Sequence, residues 1–350
     1  MLASLVYEGA TVTVGSPIAY ISELGETLPG SLLQINRRKG GMMNILAIGA
    51  GLTGCHFASE AQGRGHQVVV YDMSPNEAYV RHVAGDVTVL RGDVRDIPAL
   101  AGVMRDHAID AVFLNAGLIG GKAEQRPFLT LDININGAIN AAEAAGLSGV
   151  TRFVFASTFG VYDYDLEPAE PITEDFPMGG DNFYHASKTS CERILGAYSK
   201  RYGFDLACLR FARVYGLGHY AGGSGGGQAM HNAVAAAVEG KPARINPKIL
   251  AKSEYVYAKD VAYGVTLACE KPLKSRAFNI GTGVMVTPED MVSAIKEAVP
   301  GADVEIVGEA GLHHGDQPLD ISRASSELGY EPRFQLFAGI ADFVSELRRS

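Results

Sequence analysis

From residue 44 onward, short apolar runs alternate with longer segments of helical periodicity. NILAI, HQVVVYD, DVTVLRGDVRD, AVFLNAGLIGG and RFVFAST each begin as a strand-like run and end in glycine, acid or hydroxyl residues. Runs without polar alternation predict strands covered on both faces, and the helical segments between them predict βαβ units. Those helices include CHFASEAQGRG, TLDININGAINAAEAAG and FYHASKTSCERILGAYSKRYG, with the amphipathic HNAVAAAVEG further on. The expected fold class is α/β: a doubly wound parallel sheet over residues 43–212. Residues 213–350 then form mainly a smaller, discontinuous substrate lobe, with strands near 255–260 and 277–281 returning to the core. Residues 1–41 break the pattern. VYEGATVTVGSPIAYISELGE mixes small, β-branched and turn residues, which predicts short strands and turns, and INRRKGGMM reads as a linker.

The chemistry-bearing positions fall at the strand ends. Gly49-Ala50-Gly51-Leu52-Thr53-Gly54 follows the first strand and opens a helix, where glycines let the backbone approach a pyrophosphate and the helix terminus offers N–H donors. Asp72 ends the next strand 18 residues past Gly54, where an acid can bond adenosine ribose hydroxyls. That acid repels a 2′-phosphate and no arginine follows it closely, so NAD is favoured over NADP. Asp93 and Val94 are expected at the third strand end, Asn115-Ala116-Gly117 at the fourth, and Asn134 at the entry to a long helix. Ser157-Thr158 close the fifth strand, where a hydroxyl can polarise a substrate oxygen or merely make a turn.

Tyr184 and Lys188 stand four apart on a helix and so share one face. A phenol ionises near pH ~10, and a neighbouring ammonium favours the phenolate, which suits proton exchange with an alcohol or ketone. A second pair with the same spacing, Tyr255 and Lys259, lies in the alternating run SEYVYAK, where the step separates the side chains by roughly 13 Å.

Composition narrows the partners. The 350 residues carry 47% hydrophobic residues, enough for a sizeable core. A net charge of −9 lacks the basic footprint of a nucleic-acid binder. Cys55, Cys191, Cys208 and Cys269 make no zinc-like spacing, which fits a reducing cytoplasm, and no apolar run reaches the ~20 residues of a membrane span. MLASLVYEGA has no basic segment ahead of its apolar residues, so a signal peptide is not expected.

In this order the motifs resemble the extended short-chain dehydrogenase/reductases, also called the NAD-dependent epimerase/dehydratase family, over roughly residues 43–345. The glycine loop, Asp72, Gly92-Asp93-Val94, Asn134-Ile135-Asn136-Gly137, Ser157-Thr158-x-x-Val161-Tyr162 and Tyr184-x-x-x-Lys188 carry the resemblance. Leu209-Arg210-Phe211, Val214-Tyr215-Gly216, Tyr255-Val256-Tyr257, Phe278-Asn279-Ile280-Gly281 and Leu328-Gly329-Tyr330-x-Pro332 continue it. The resemblance implies a Rossmann-type fold, bound NAD, a small-molecule substrate and a homodimer paired through helices. It further implies that Thr158 bonds the reacting oxygen, Tyr184 exchanges its proton, and Lys188 holds the nicotinamide ribose and lowers the tyrosine pKa. Residues 1–41 resemble half of a lipoyl or biotinyl carrier domain over about twenty positions. They are expected to be a remnant, or the product of a start placed ahead of Met42 or Met43.

Departures from the family pattern bear on substrate. Phe159-Gly160 stand where the 4,6-dehydratases have an acidic pair, which leaves that elimination without a proton donor. Arg213 replaces the usual asparagine before Val-Tyr-Gly, Ser253 replaces an arginine, and His313-His314 stand near another. Losing guanidinium forks removes strong phosphate donors, although Arg213 and Lys252 can compensate. Arg213 can equally hold a substrate carboxylate or a structural partner. Residues 218–230 are glycine-rich and read either as a lid or as a simple connection, and no metal site is expected at the two histidines. The first expectation is therefore an NAD-dependent oxidoreductase of a small hydroxy compound, hydroxy acid or sugar. The alternatives are an NAD-retaining sugar or nucleotide-sugar epimerase and a non-catalytic NAD-binding regulatory protein.

Overall fold

The computed structural model describes residues 41–180, 182–218, 224–309 and 317–350. The carrier-like segment before residue 41 and the pair His313-His314 lie outside the described residues, as does the stretch 219–223 of the glycine-rich loop.

Seven parallel strands form the main sheet. In chain order they begin with β1 (Asn44–Ile48), β2 (Gln67–Asp72), β3 (Thr88–Arg91), β4 (Ala111–Leu114), β5 (Arg152–Thr158) and β6 (Asp205–Phe211). Beyond these come β7 (Arg213–Tyr215), β8 (Ala243–Ile245), β9 (Ser253–Tyr257), β10 (Ala277–Ile280), β11 (Met285–Val286) and β12 (Val304–Ile306). The spatial order is β10-β6-β5-β4-β1-β2-β3. It reverses between β1 and β4, which opens a crevice beyond the strands' carboxyl ends.

The unbroken apolar runs explain the layering. Side chains of a strand alternate between faces, and Ile45 and Ala47 of β1 enter one core while Leu46 and Ile48 enter the other. The first core closes against α1 (Leu52–Gly63) and α9 (Ala258–Glu270). Between these two, α2 (Glu77–Ala84), α3 (Ile97–Asp106), α4 (Gly120–Gln125), α5 (Pro127–Leu131), α6 (Gly137–Ser148), α7 (Phe183–Tyr202) and α8 (Gly225–Val238) follow in order. The second core closes against α3, α6 and α7. Helix α6 buries five alanines, which let its neighbours approach. At Gly146 a β-carbon would lie 2.3 Å from the Tyr202 ring of α7. Asn134 does not simply enter this helix: it sits in a single wide turn of π-helix, Asp132–Asn136, directly ahead of α6.

The smaller lobe differs from expectation in one respect. The strand near 277–281 does join the main sheet, as β10 beside β6. The strand near 255–260 does not. As β9 it pairs with β7 and β11 in a separate three-stranded sheet, and helix α9 is what returns to the core. Within that sheet Glu254 is a buried carboxylate that accepts N–H bonds from Thr282 at 2.6 Å, Gly283 at 2.9 Å and Leu319 at 2.6 Å. Burial raises its pKa and the three amides oppose the rise. These contacts tie β9 to the turn after β10 and to the segment at Leu319. The helices α10 (Pro288–Ala298), α11 (Ser322–Leu328) and α12 (Leu336–Leu347) complete it.

If residues 1–41 are the remnant that the sequence suggests, their removal leaves the melting temperature of the remainder within a few degrees and NAD binding intact, measured by scanning calorimetry and cofactor titration. Loss of folding would refute this view of the segment.

Candidate active site

The crevice is a cavity of about 1020 Å³ that runs from the β2 end to the base of the smaller lobe. At one end β1 turns into α1 without a side chain in the way. Gly49 adopts φ +112°, and a β-carbon there would meet the Ala116 amide at 2.8 Å. A β-carbon at Gly54 would lie 1.9 Å from the Gly49 carbonyl, so the helix could not pack against the loop. At Gly51 a β-carbon would face open space, and α1 has neither a side-chain cap nor an acid in its first turn. Its leading amides, near Leu52 and Thr53, face the cleft. Such a terminus suits an anionic ligand.

Asp72 closes this end. Its carboxylate accepts from the Ala50 amide at 2.8 Å and the Ser74 amide at 2.7 Å, which fixes it at the cleft wall. The residue after it is Met73, and no arginine among the described residues lines this end. Asp93 and Val94 also line the cleft, but β3 ends at Arg91, two residues earlier than expected. The Asp93 carboxylate is engaged by Arg95 at 2.6 Å, which holds its pKa below the ordinary value. Asn115, Ala116 and Gly117 form the floor, with the first two amides bonded to the Ile48 carbonyl.

Asn134 is placed otherwise than the sequence suggests. It is buried and does not line the cleft. Its side chain accepts from the Leu118 amide at 2.8 Å and donates to the Leu118 carbonyl at 3.0 Å and to Ser187 Oγ at 3.0 Å. Ser187 in turn donates to the Tyr184 carbonyl at 2.7 Å. Asn134 thus clamps the β4 loop to α7.

Helix α7 begins at Asn182, whose side chain caps the His185 amide at 2.9 Å, and this places Tyr184 in the first turn facing the end of β5. Tyr184 and Thr158 line the cleft together, Thr158 acting to favour the ionised phenol, and Thr158 Oγ1 accepts from the Gly160 amide at 3.2 Å. One turn on, Lys188 is buried and donates to the Ala156 carbonyl at 2.7 Å, with its ammonium 4.5 Å from the Phe155 ring centroid and 5.8 Å from that of Tyr184. Thr158, Tyr184 and Lys188 therefore meet at the cleft wall.

The electrostatics depart from expectation. Lys188 does not lower the Tyr184 pKa in the protein on its own. Burial pushes the phenol up to about 12, and Thr158 opposes only part of this. Burial also pushes the Lys188 ammonium down to about 8. Removing charge from water disfavours phenolate and ammonium alike. The pair is consequently poised to respond to a further positive charge in the cleft.

Ser157 and Arg213 are the substrate candidates that the sequence offers. Ser157 lies in the cleft lining, yet its Oγ donates to Glu192 at 2.5 Å. Arg213 faces both the main cleft and a small side cavity shared with Lys252, Ser253 and Gln317. Its Nε donates to Ser253 Oγ at 2.8 Å and its guanidinium lies 5.4 Å from the Phe159 ring centroid. Among the described residues Arg213 is paired with no carboxylate. Tyr255 and Lys259 go separate ways, to the Ala251 carbonyl at 3.0 Å and to Asp342 at 2.5 Å. Sequence reasoning missed Ser187, His185 and Glu192 around the α7 stripe. Only Glu192 had a readable signal, its four-residue step from Lys188.

The family described as NAD dependent epimerase/dehydratase matches residues 45–281. UDP-glucose 4-epimerase of Bacillus subtilis (strain 168) is 30% identical over 328 residues, covering 86% of this chain and 95% of that protein. The structure of UDP-glucose 4-epimerase from Thermotoga maritima with UDP-glucose superposes with a TM-score of 0.76 at 27% identity, covering 88% of this chain and 99% of that one. The Thermus thermophilus UDP-glucose 4-epimerase in complex with NAD gives a TM-score of 0.71 at 26% identity, covering 87% and 99%. A glycine cradle, an acid at the end of β2 and a Tyr–Lys pair on one helix face beside a Rossmann-type sheet agree with these likenesses, and the chain belongs to the NAD dependent epimerase/dehydratase family of enzymes.

Proposed function

We propose that the protein is an NAD-retaining epimerase that inverts one secondary alcohol carbon of a sugar joined to an anionic carrier, a nucleoside diphosphate. The observation that carries this reading is that Thr158, Tyr184 and Lys188 line one cleft, which shares Phe159, Tyr164, Ala212 and Arg213 with the side cavity. The likeness to 4-epimerases over nearly their whole length supports an epimerase over a dehydrogenase of a small hydroxy compound.

The cleft residues fit a dinucleotide. Gly51 leaves room for a pyrophosphate against the uncapped α1 terminus, Asp72 offers acceptors to a ribose, and the wall beside Asp72 lacks the arginine a 2′-phosphate needs. When bound and oxidised, NAD supplies a hydride acceptor and a positive charge near the phenol. Thr158 and Tyr184 then hold the substrate hydroxyl between them. Tyr184 takes its proton at Oη as the carbon is oxidised and returns it after the intermediate turns over, while Lys188 sustains the phenolate by its charge. Arg213 and Lys252 hold the carrier's phosphates in place of the arginines that Ser253 and its neighbours lack.

Dehydration is disfavoured on composition, since Phe159-Gly160 follow Thr158 where that elimination needs an acid, and a β-carbon at position 160 would lie 2.2 Å from His185 Nε2.

Cofactor released by denaturing the purified protein is expected near one NAD per chain, with interconversion of UDP-glucose and UDP-galactose, or of another UDP-sugar pair, without net redox. An empty protein that binds and releases added NAD, and turns over only with its net reduction, would overturn the epimerase reading. Tyr184→Phe is expected to lower turnover at least ~100-fold with little change in NAD affinity; an active variant would sink the mechanism.

The Lys188 shift has a stability consequence with a defined sign. Its folded-state pKa lies below the ordinary 10.5, at about 8, so the unfolded chain holds the proton more tightly. Stability rises as pH climbs from about 8 to about 10.5, and below that window the buried ammonium costs on the order of a few kcal/mol. Lys188→Met should therefore melt higher than the parent at pH 7 while losing activity. Calorimetry at pH 7 and pH 10 checks both, the difference shrinking at the higher pH.

A further inference from the structure

Tyr184, Lys188 and Glu192 stand four residues apart on α7 and share one face. Two of them engage successive residues of β5. Lys188 Nζ donates to the Ala156 carbonyl at 2.7 Å and Glu192 accepts from Ser157 Oγ at 2.5 Å, while Tyr184 lines the cleft with Thr158, the next residue of the strand.

The third member of this stripe has no place yet in the proposed reaction. Glu192 is buried, with a side-chain exposure of 7%, against Arg210 of β6 at 4%. Arg210 binds it with two donors, Nε to Oε1 at 3.0 Å and Nη2 to Oε2 at 2.7 Å, and passes Nη1 to the Glu174 carbonyl at 2.9 Å. A fork-to-carboxylate pair of this kind is geometrically specific. It fixes the carboxylate one helical turn below Lys188, and Ser157 is fixed by the carboxylate.

We propose that Glu192 is a positioning residue of the active centre: it anchors Ser157, so that Thr158 stands level with Tyr184, and its charge keeps Lys188 in the ammonium form. The groups facing Lys188 leave it this role. From α7 these are Tyr184, Cys191 and Glu192, from β6 Cys208, and from β5 the Phe155 ring and the Ala156 carbonyl. Burial lowers the Lys188 pKa, while Cys191, Glu192 and Cys208 act to raise it. Burial also pushes the Cys191 thiol up to about 11 and Cys208 well above its usual value, so both are neutral near pH 7. Glu192 is then the anion that acts on the lysine in the working range, and Arg210 beyond it compensates the carboxylate without facing the ammonium.

This inference rests on the proposed roles of Tyr184 and Lys188, but its test reads Lys188 directly and needs no substrate. Protein labelled with 13C at lysine Cε is titrated from pH 6 to pH 11 by NMR, the Lys188 signal being assigned by its loss in Lys188→Met. Glu192→Gln is expected to move the Lys188 midpoint down by roughly one pH unit, and Ser157→Ala, which breaks the hydrogen bond but keeps the charge, to leave it in place. An unmoved midpoint in Glu192→Gln overturns the proposal, and so does an equal shift in Ser157→Ala, which would assign the effect to loosened packing. If Glu192→Gln strands the Arg210 charge and fails to fold, the paired variant Glu192→Gln/Arg210→Met removes both charges and is read in the same way. Failure of the epimerase assignment would appear separately, as absence of retained NAD and of sugar interconversion, with the Lys188 titration unaffected.

Discussion

A buried ammonium governs this active centre. Lys188 is withdrawn from water beneath the end of β5, where its hydrogen bonding goes to a backbone carbonyl and its charge lies against the Phe155 ring. Burial weakens the ammonium and suppresses the phenolate of Tyr184 together. Such a pair is a poor acid–base couple until another positive charge enters the cleft, and oxidised NAD brings one. Under the proposed epimerase reading, the arrangement ties proton transfer to the cofactor's redox state, as oxidation and then reduction of one carbon requires.

Around that centre the fold supplies rigidity through buried polar contacts. Asn134 joins the β4 loop to α7, and Glu254 joins β9 to the β10–β11 turn and the segment at Leu319. Tyr162 donates to Asn279, and Arg210 packs 4.9 Å from the Tyr162 ring centroid. Each links segments far apart in sequence. An unsatisfied buried polar group costs about 1–3 kcal/mol, so these contacts restrict the relative positions of sheet and lobe more sharply than apolar packing does. The cleft between them inherits that restriction.

Specificity is written mostly in what surrounds Thr158. Phe159-Gly160 place no acid directly after it, and His185 Nε2 would lie 2.2 Å from a β-carbon at Gly160. Arg213, lying over Phe159 and held by Ser253, places a guanidinium between the reacting centre and the side cavity. A substrate with an anionic arm would span the two.

The sequence by itself determined the strand–helix alternation, the glycine loop, Asp72 and the shared face of Tyr184 and Lys188, because these depend on periodicity and local backbone freedom. Unbroken apolar runs such as NILAI can be satisfied only by a sheet covered on both sides. Tertiary structure decided the rest. Asn134 and Ser157 have the composition of ligand contacts, yet their hydrogen bonds go to Leu118, Ser187 and Glu192, partners 16 to 53 residues away that no local pattern announces. The direction of the Tyr184 shift followed from burial, which the four-residue spacing cannot measure. Strand β9 pairs with β7 and β11 outside the main sheet, and its Glu254 meets three amides from distant turns, partners that the alternating run SEYVY does not encode.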